Sequence, residues 1–88
     1  MSEPELGYFT RGPVVSAQED VKAERAAQRL EFSADADDAL LPAEWIARVT
    51  KHTGRAVTMD PYTFRQEMVV VGALALAAIE SFDRKFGV

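Results

Sequence analysis

The longest apolar segment of the chain runs from residue 68 to residue 79 and contains no charged or strongly polar side chain. Asp60 and Pro61, which precede this segment, are the residue types preferred at the start of a helix. Two basic residues and then Gly87 follow it, as is typical of a helix end. The pattern therefore predicts one helix of about 26 residues, roughly 39 Å long.

This helix is apolar on nearly every side through its middle, whereas a surface helix shows a single apolar stripe. The uninterrupted apolar run is shorter than the roughly 20 residues that a membrane span needs. We therefore expect other helices to surround it. A chain of 88 residues has few helices to offer, so a second copy should supply some. The expected interface consists of Trp45, Met68, Val71, Leu74, Ala75, Ile79 and Phe82.

Two shorter helices are predicted upstream. Residues 16–19 match a capping box, and the segment 17–31 is rich in residues that favour helix but has a thin apolar stripe. Pro42 begins the next helix, in which Trp45 and later apolar residues recur at helical spacing as far as about Val57.

The segments outside these helices carry turn-forming and acidic residues. Residues 1–15 contain two glycines and two prolines and are expected to form an extended arm, whose Tyr8 and Phe9 could contact the body or a partner. Residues 32–41 are expected to form an acidic, solvated loop. This loop lacks the Gly and Glu positions of an EF-hand, so we do not expect it to bind calcium.

The predicted fold is all-α, with an arm over residues 1–15 and a single domain over residues 16–88. Each chain has three helices and associates as a helical-bundle homodimer or a larger assembly. The chain has no cysteine and one histidine, which argues against a disulfide framework and against a multi-histidine metal site within one chain. The acidic, polar start of the sequence does not resemble a signal peptide, and we expect a cytoplasmic protein without a membrane segment.

The net charge of −4 argues against non-specific DNA binding, which requires a basic face. Residues 45–59, however, contain three cations and one histidine but no acid, and their helical spacing places them on one face. These cations could pair with glutamates of neighbouring helices, bind a phosphate without metal, or simply face solvent. The candidate site residues are Arg48, Lys51, His52, Arg55, Glu67 and Glu24.

Several short segments share their order and spacing with a known family. They are ERAAQ at residues 24–28, Phe32, PAEWIA at residues 42–47, Gly54, and FRQEMVVVGALALAAIE at residues 64–80, followed by Asp83. In this order they resemble the MazG-like all-α nucleoside-triphosphate pyrophosphatases, especially the short actinobacterial and phage-type members. The resemblance covers about residues 19–84.

The resemblance implies a helical dimer or tetramer that cleaves a nucleoside triphosphate between its α and β phosphates with magnesium. The family holds the metal with three carboxylates on the helix after the Trp and two at the start of the long helix, because magnesium prefers oxygen ligands. Here the five corresponding positions are Lys51, His52, Arg55, Glu67 and Val70.

Four of the five carboxylates are therefore replaced, and only Glu67 is retained. The resemblance consequently predicts a non-catalytic relative without a metal cofactor, which binds a nucleotide or a protein partner. Glu24 corresponds to a helix-one residue of the family. Two alternatives stay open: an active magnesium-dependent pyrophosphatase with an unusual site, and a structural subunit of a larger assembly.

Overall fold

The computed structural model describes the backbone of residues 3–57 and 60–87, and the side chains from Val14 onward within those ranges. Four helices follow one another along the chain, and no strand occurs in the described ranges. The all-α prediction is confirmed, although the helices number four and not three. They are α1 (Glu3–Glu31), α2 (Ala34–Asp38), α3 (Pro42–Ala56) and α4 (Pro61–Phe86).

Helix α4 has the bounds and the caps that its flanking residues predict. The carboxylate of Asp60 accepts hydrogen bonds from the backbone N–H groups of Tyr62 and Thr63, at 2.9 and 3.0 Å. These contacts satisfy two of the first-turn donors that have no partner inside a helix. At the other end Gly87 adopts φ 71°, a left-handed conformation that a glycine tolerates without steric cost.

Helix α1 is about twice as long as predicted, because residues 3–15 are helical where the sequence indicated an extended arm. Pro4 lies in the first turn of this helix, where the missing N–H of a proline removes no intrahelical bond. The capping-box residues around Ser16 therefore lie inside a helix that has already begun. The side chains of Tyr8 and Phe9 lie outside the described part of the structure.

The acidic loop expected over residues 32–41 is largely the short helix α2. The hydroxyl of Ser33 caps this helix by accepting a hydrogen bond from the N–H of Ala36 at 3.0 Å. The carboxylate of Asp37 is buried and not solvated. The loop prediction missed this because the partners of its acids come from distant helices.

Both long neighbours, α1 and α3, pack on α4, and α2 closes the end of the bundle. The apolar core that they enclose is small, with Trp45, Leu74 and Ala77 at its centre. The radius of gyration is 15.7 Å, whereas a compact domain of this length has about 12 Å. A single chain therefore forms a thin, elongated bundle that leaves much of α4 uncovered.

The two helical glycines inside the bundle have different surroundings. A Cβ atom placed on Gly72 would lie 3.1 Å from Cγ2 of Val21, so α1 and α4 approach closely at this level. A Cβ atom on Gly54 would meet nothing within 4 Å. The close approach of a neighbouring element therefore occurs at Gly72, and Gly54 is only a weak helix former within α3.

Candidate functional site

The basic face of α3 is anchored to α4 by its histidine. Nδ1 of His52 lies 2.7 Å from Oε1 of Glu67, and both side chains are mostly buried. This short distance joins the imidazole and the carboxyl group by a hydrogen bond. The sequence offered the pairing of cations on this face with neighbouring glutamates, whereas the contact described here joins Glu67 to the histidine.

The other members of the basic face lie in different environments. The guanidinium carbon of Arg48 lies 4.8 Å from the ring centre of Phe32 and 5.6 Å from that of Trp45. Both distances are within the range of cation–π attraction, so Arg48 packs on aromatic rings at the α1 side. Lys51 and Arg55 are exposed, one turn apart on α3.

Glu24 does not join this group. It lies beside Asp20, Gln66 and Val69 in a shallow groove of about 360 Å³ between α1 and α4. Glu67 lies on the side of α4 that meets α3, where it contacts His52. The structure therefore separates the two glutamates that the sequence offered as candidates, because they lie on different sides of α4.

A buried ion-pair network that the sequence did not reveal connects α1, α2 and α4. The guanidinium of Arg25, which is only 5% exposed, lies 2.9 Å from Oε1 of Glu80 and 3.5 Å from Oδ2 of Asp37. Arg29 contacts the second oxygen of Glu80 at 3.1 Å. A pattern of two arginines four residues apart on one helix was the available signal, but their partners lie about 10 and 50 residues away along the chain.

The last aspartate of α2, Asp38, is held by the end of α4. Asp38 accepts hydrogen bonds from Arg84 at 2.7 Å and from the buried hydroxyl of Ser81 at 2.8 Å. These bonds, that from Arg84 first, hold the pKa of the Asp38 carboxyl below its usual range. Burial raises the pKa of Glu80, but hydrogen bonds from Arg25 and Arg29 outweigh it, so the net shift is downward. Both carboxyls are therefore stabilised as anions.

The opposite side of α4 carries a row of apolar side chains that the described part of the chain leaves largely uncovered. Phe82 is 53% exposed, Ile79 57% and Phe86 66%. Ala75 is also exposed, and Met68 and Val71 are half-buried. We call this row the outer stripe of α4. It consists of Phe64, Met68, Val71, Ala75, Ile79, Phe82 and Phe86.

Five of the seven residues predicted to form the interface belong to the outer stripe. Trp45 and Leu74, the other two, are 8% and 7% exposed because they form the core within one chain. Trp45 on α3 and Leu74 on α4 belong to the same core cluster, on the side of α4 away from the stripe. Within one chain they are therefore residues of the intramolecular core, and their part in a surface between chains stays a prediction.

Two apolar grooves border α4 beside this stripe. One, of about 580 Å³, lies between α1 and α4 and is lined by Val15, Val21, Gly72 and Leu76. The other, of about 280 Å³, lies between α3 and the end of α4 and includes Phe82. The apolar surface of α4 is thus continuous with the edges of both neighbouring helices.

Helix α4 is long and apolar enough to cross a membrane when only its length and composition are considered. The uninterrupted apolar run of α4 is shorter than a membrane span, and we therefore expected no membrane segment. An 18-residue window that includes few charged residues nevertheless has an average hydropathy high enough for a span. Its inner side, however, carries Glu80, Ser81 and Arg84, which are paired with α1 and α2. Within the described residues, no group of three or more potential metal ligands lies close enough together to hold an ion.

Comparison with protein-family models, with curated proteins and with solved structures finds no match for this chain. The functional interpretation therefore depends on the geometry of the chain itself.

Proposed function

We propose that this chain is a non-catalytic, all-helical interaction module that associates with a protein partner through the outer stripe of α4. The observation that carries the proposal is the exposure of three large apolar side chains, Ile79, Phe82 and Phe86, along one face of an otherwise ordered helix. Large contiguous apolar patches are rare on soluble monomers and mark interaction surfaces.

The non-catalytic part of the proposal draws on the pair formed by His52 and Glu67. In the MazG-like resemblance both positions correspond to metal-binding carboxylates, and here they are in contact at 2.7 Å. A histidine hydrogen-bonded to the retained glutamate occupies one of its oxygens. That arrangement favours a structural link between α3 and α4 over a magnesium site. The resemblance itself stays a prediction.

The test is the molar mass of the purified protein, measured by sedimentation equilibrium over a range of concentrations. The variant Phe82→Glu places a charge in the outer stripe, and we expect it to lower the average mass toward the 9.7 kDa of one chain. The control is Leu30→Glu, at an exposed apolar position on α1, which should leave the mass unchanged.

Two results together would contradict the proposal. The wild-type protein would sediment as a single chain at every concentration, and every protein that it captures would also be captured by the Phe82→Glu variant. Circular dichroism of each variant ensures that a change in mass is not caused by loss of helix.

Phosphate binding on the basic face of α3 is the second candidate. The specific observation in its favour is that Lys51 and Arg55 are exposed one turn apart, with no acid between residues 45 and 57. Calorimetric titration with nucleoside triphosphates in EDTA tests it. We expect heat of binding that Lys51→Ala weakens, and no heat from any nucleotide would remove this candidate.

A further inference from the structure

The sequence intervals between successive members of the outer stripe are the same whether they are counted from the first member or from the last. Starting at Phe64, the intervals between successive members are four, three, four, four, three and four residues, with Ala75 in the middle. An antiparallel copy of α4 that is centred on Ala75 therefore places every member opposite another member. The resulting pairs are Phe64 with Phe86, Met68 with Phe82, Val71 with Ile79, and Ala75 with itself.

The sizes of the side chains follow the same symmetry. Ala75 is the smallest member, the members beside it are aliphatic, and the outermost member at each end is a phenylalanine. Packed helices cross at an angle, so they are closest at one point and separate on either side of it. A small residue at the crossing point permits close approach, and larger residues toward the ends fill the widening gap.

We propose that the partner covering the outer stripe is a second copy of this chain, packed antiparallel about a two-fold axis at Ala75. This inference rests on the proposed function of α4 as an association surface. A two-fold interface must be complementary to itself, since the same patch is used by both copies. An unrelated partner would impose no such symmetry on the spacing and the sizes of the stripe.

The charges at the end of α4 favour the antiparallel direction. The last turn contains the exposed Lys85, so parallel helices would bring the two copies of this cation to the same end. Antiparallel helices separate these cations and place the negative end of one helix dipole near the positive end of the other.

Because the chain contains no cysteine, single-cysteine variants report the register directly. In the antiparallel pairing, Ala75→Cys should cross-link with itself under mild oxidation, so that most of the protein migrates as a covalent dimer on a non-reducing gel. Phe86→Cys alone should not, because the two copies of this position would lie about 33 Å apart along the helices. A mixture of Phe64→Cys and Phe86→Cys should cross-link once subunits exchange.

The matched control is Leu30→Cys, which is 92% exposed on α1 and should stay uncross-linked. Efficient self-linking of Phe86→Cys would overturn the antiparallel arrangement in favour of a parallel one. A dimeric mass without cross-links at Ala75→Cys or in the mixture would overturn this register, while association as such would stand.

A folded protein of monomeric mass would overturn the inference whatever else the stripe contacts. If that monomer instead floats with vesicles of phosphatidylcholine and phosphatidylglycerol, and Phe82→Glu abolishes flotation, the occupant of the stripe is a lipid surface. That outcome would also remove the proposed function, whereas capture of a different protein by the stripe would retain it.

Discussion

The inner and outer faces of α4 differ in the size of their apolar residues and in the presence of ion pairs. The inner face carries small residues such as Ala73 and Ala77 together with Glu80, which pairs with the buried Arg25. The outer face carries the phenylalanines and an isoleucine. Charged side chains are rarely buried unless they are paired, and large apolar side chains are usually the first to be buried.

This contrast shows that the two faces have different tasks. Ion pairs between α1, α2 and α4 set the positions of the helices but add little net stability, because desolvation offsets most of their attraction. The exposed apolar side chains of the other face contribute to stability only when something covers them. In the proposed assembly, association through the outer stripe would enlarge the small apolar core of the single chain.

The strongest test of the inner face is Arg25→Leu. This change leaves Asp37 buried without its cation, and removing one partner of a buried pair costs about 3–5 kcal/mol. We expect a loss of that size in the free energy of unfolding, measured with urea. Arg29→Leu is the control, because that arginine also contacts Glu80 but its side chain is 60% exposed; it should cost about 1 kcal/mol or less. Equal effects of the two changes would refute a special role for the buried arginine.

Truncation of one apolar side chain on each face separates the two regions further. Leu74→Ala should cost about 2–5 kcal/mol because it opens a cavity in the intramolecular core. Ile79→Ala on the outer stripe should cost less, and its effect should depend on protein concentration, since only association covers this residue. Thermal unfolding at several concentrations measures both. A Leu74→Ala effect that varies with concentration as strongly as that of Ile79→Ala would argue against the assignment of Leu74 to the core within one chain.

The two glycines provide a smaller test of packing. Gly54→Ala should stabilise the chain by about 0.5–1 kcal/mol, because alanine is the better helix former and its methyl group meets open space. Gly72→Ala should gain less or lose stability, since its methyl group would lie 3.1 Å from Val21. Chemical denaturation of both variants measures the difference. An equal gain at the two positions would indicate that α1 can move away from α4 at little cost.

Acidification should weaken the inner face gradually. The pKa of Asp38 is lowered from 3.8 and that of Glu80 from 4.5 in the folded chain. When the pKa of a carboxyl group is lower in the folded chain than in the unfolded chain, its ionised form stabilises the fold. This stabilisation is complete above the unfolded pKa and is lost as the pH falls through the folded pKa. The melting temperature should therefore decrease as the pH is lowered from about 4.5. Arg84→Gln should make this fall shallower, and an unchanged pH profile in that variant would contradict the role of the Arg84 contact with Asp38.

The parts of the fold that depend on local chemistry were predictable. The cap at Asp60, the stop at Gly87 and the start of α3 at Pro42 are set by residues next to the helix ends. Helix α1 was underestimated because Gly and Pro were interpreted as marks of an extended arm, although Pro4 lies where a helix accepts it. Helix α2 was missed because its five residues show no usable periodicity.

The candidate site was predictable only in part. Residues 48–55 are helical as predicted, and Glu67, one of the candidate residues, contacts His52. Arg48 packs on aromatic rings, and Glu24 lies apart from the basic residues of α3. Both positions depend on which side of α4 each helix occupies. Periodicity assigns a residue to a face of its own helix, but it does not say which neighbour that face meets.

The sequence by itself therefore determined the all-α class, the bounds of α3 and α4, and the apolar character of the middle of α4. Only the tertiary structure decided which apolar residues of α4 form the core and which stay exposed, as Leu74 and Ile79 illustrate. It also decided that Arg25 meets Asp37 and Glu80. The physical reason is that helix formation depends on residues three and four apart, whereas burial and ion pairing depend on contacts between segments distant in the chain.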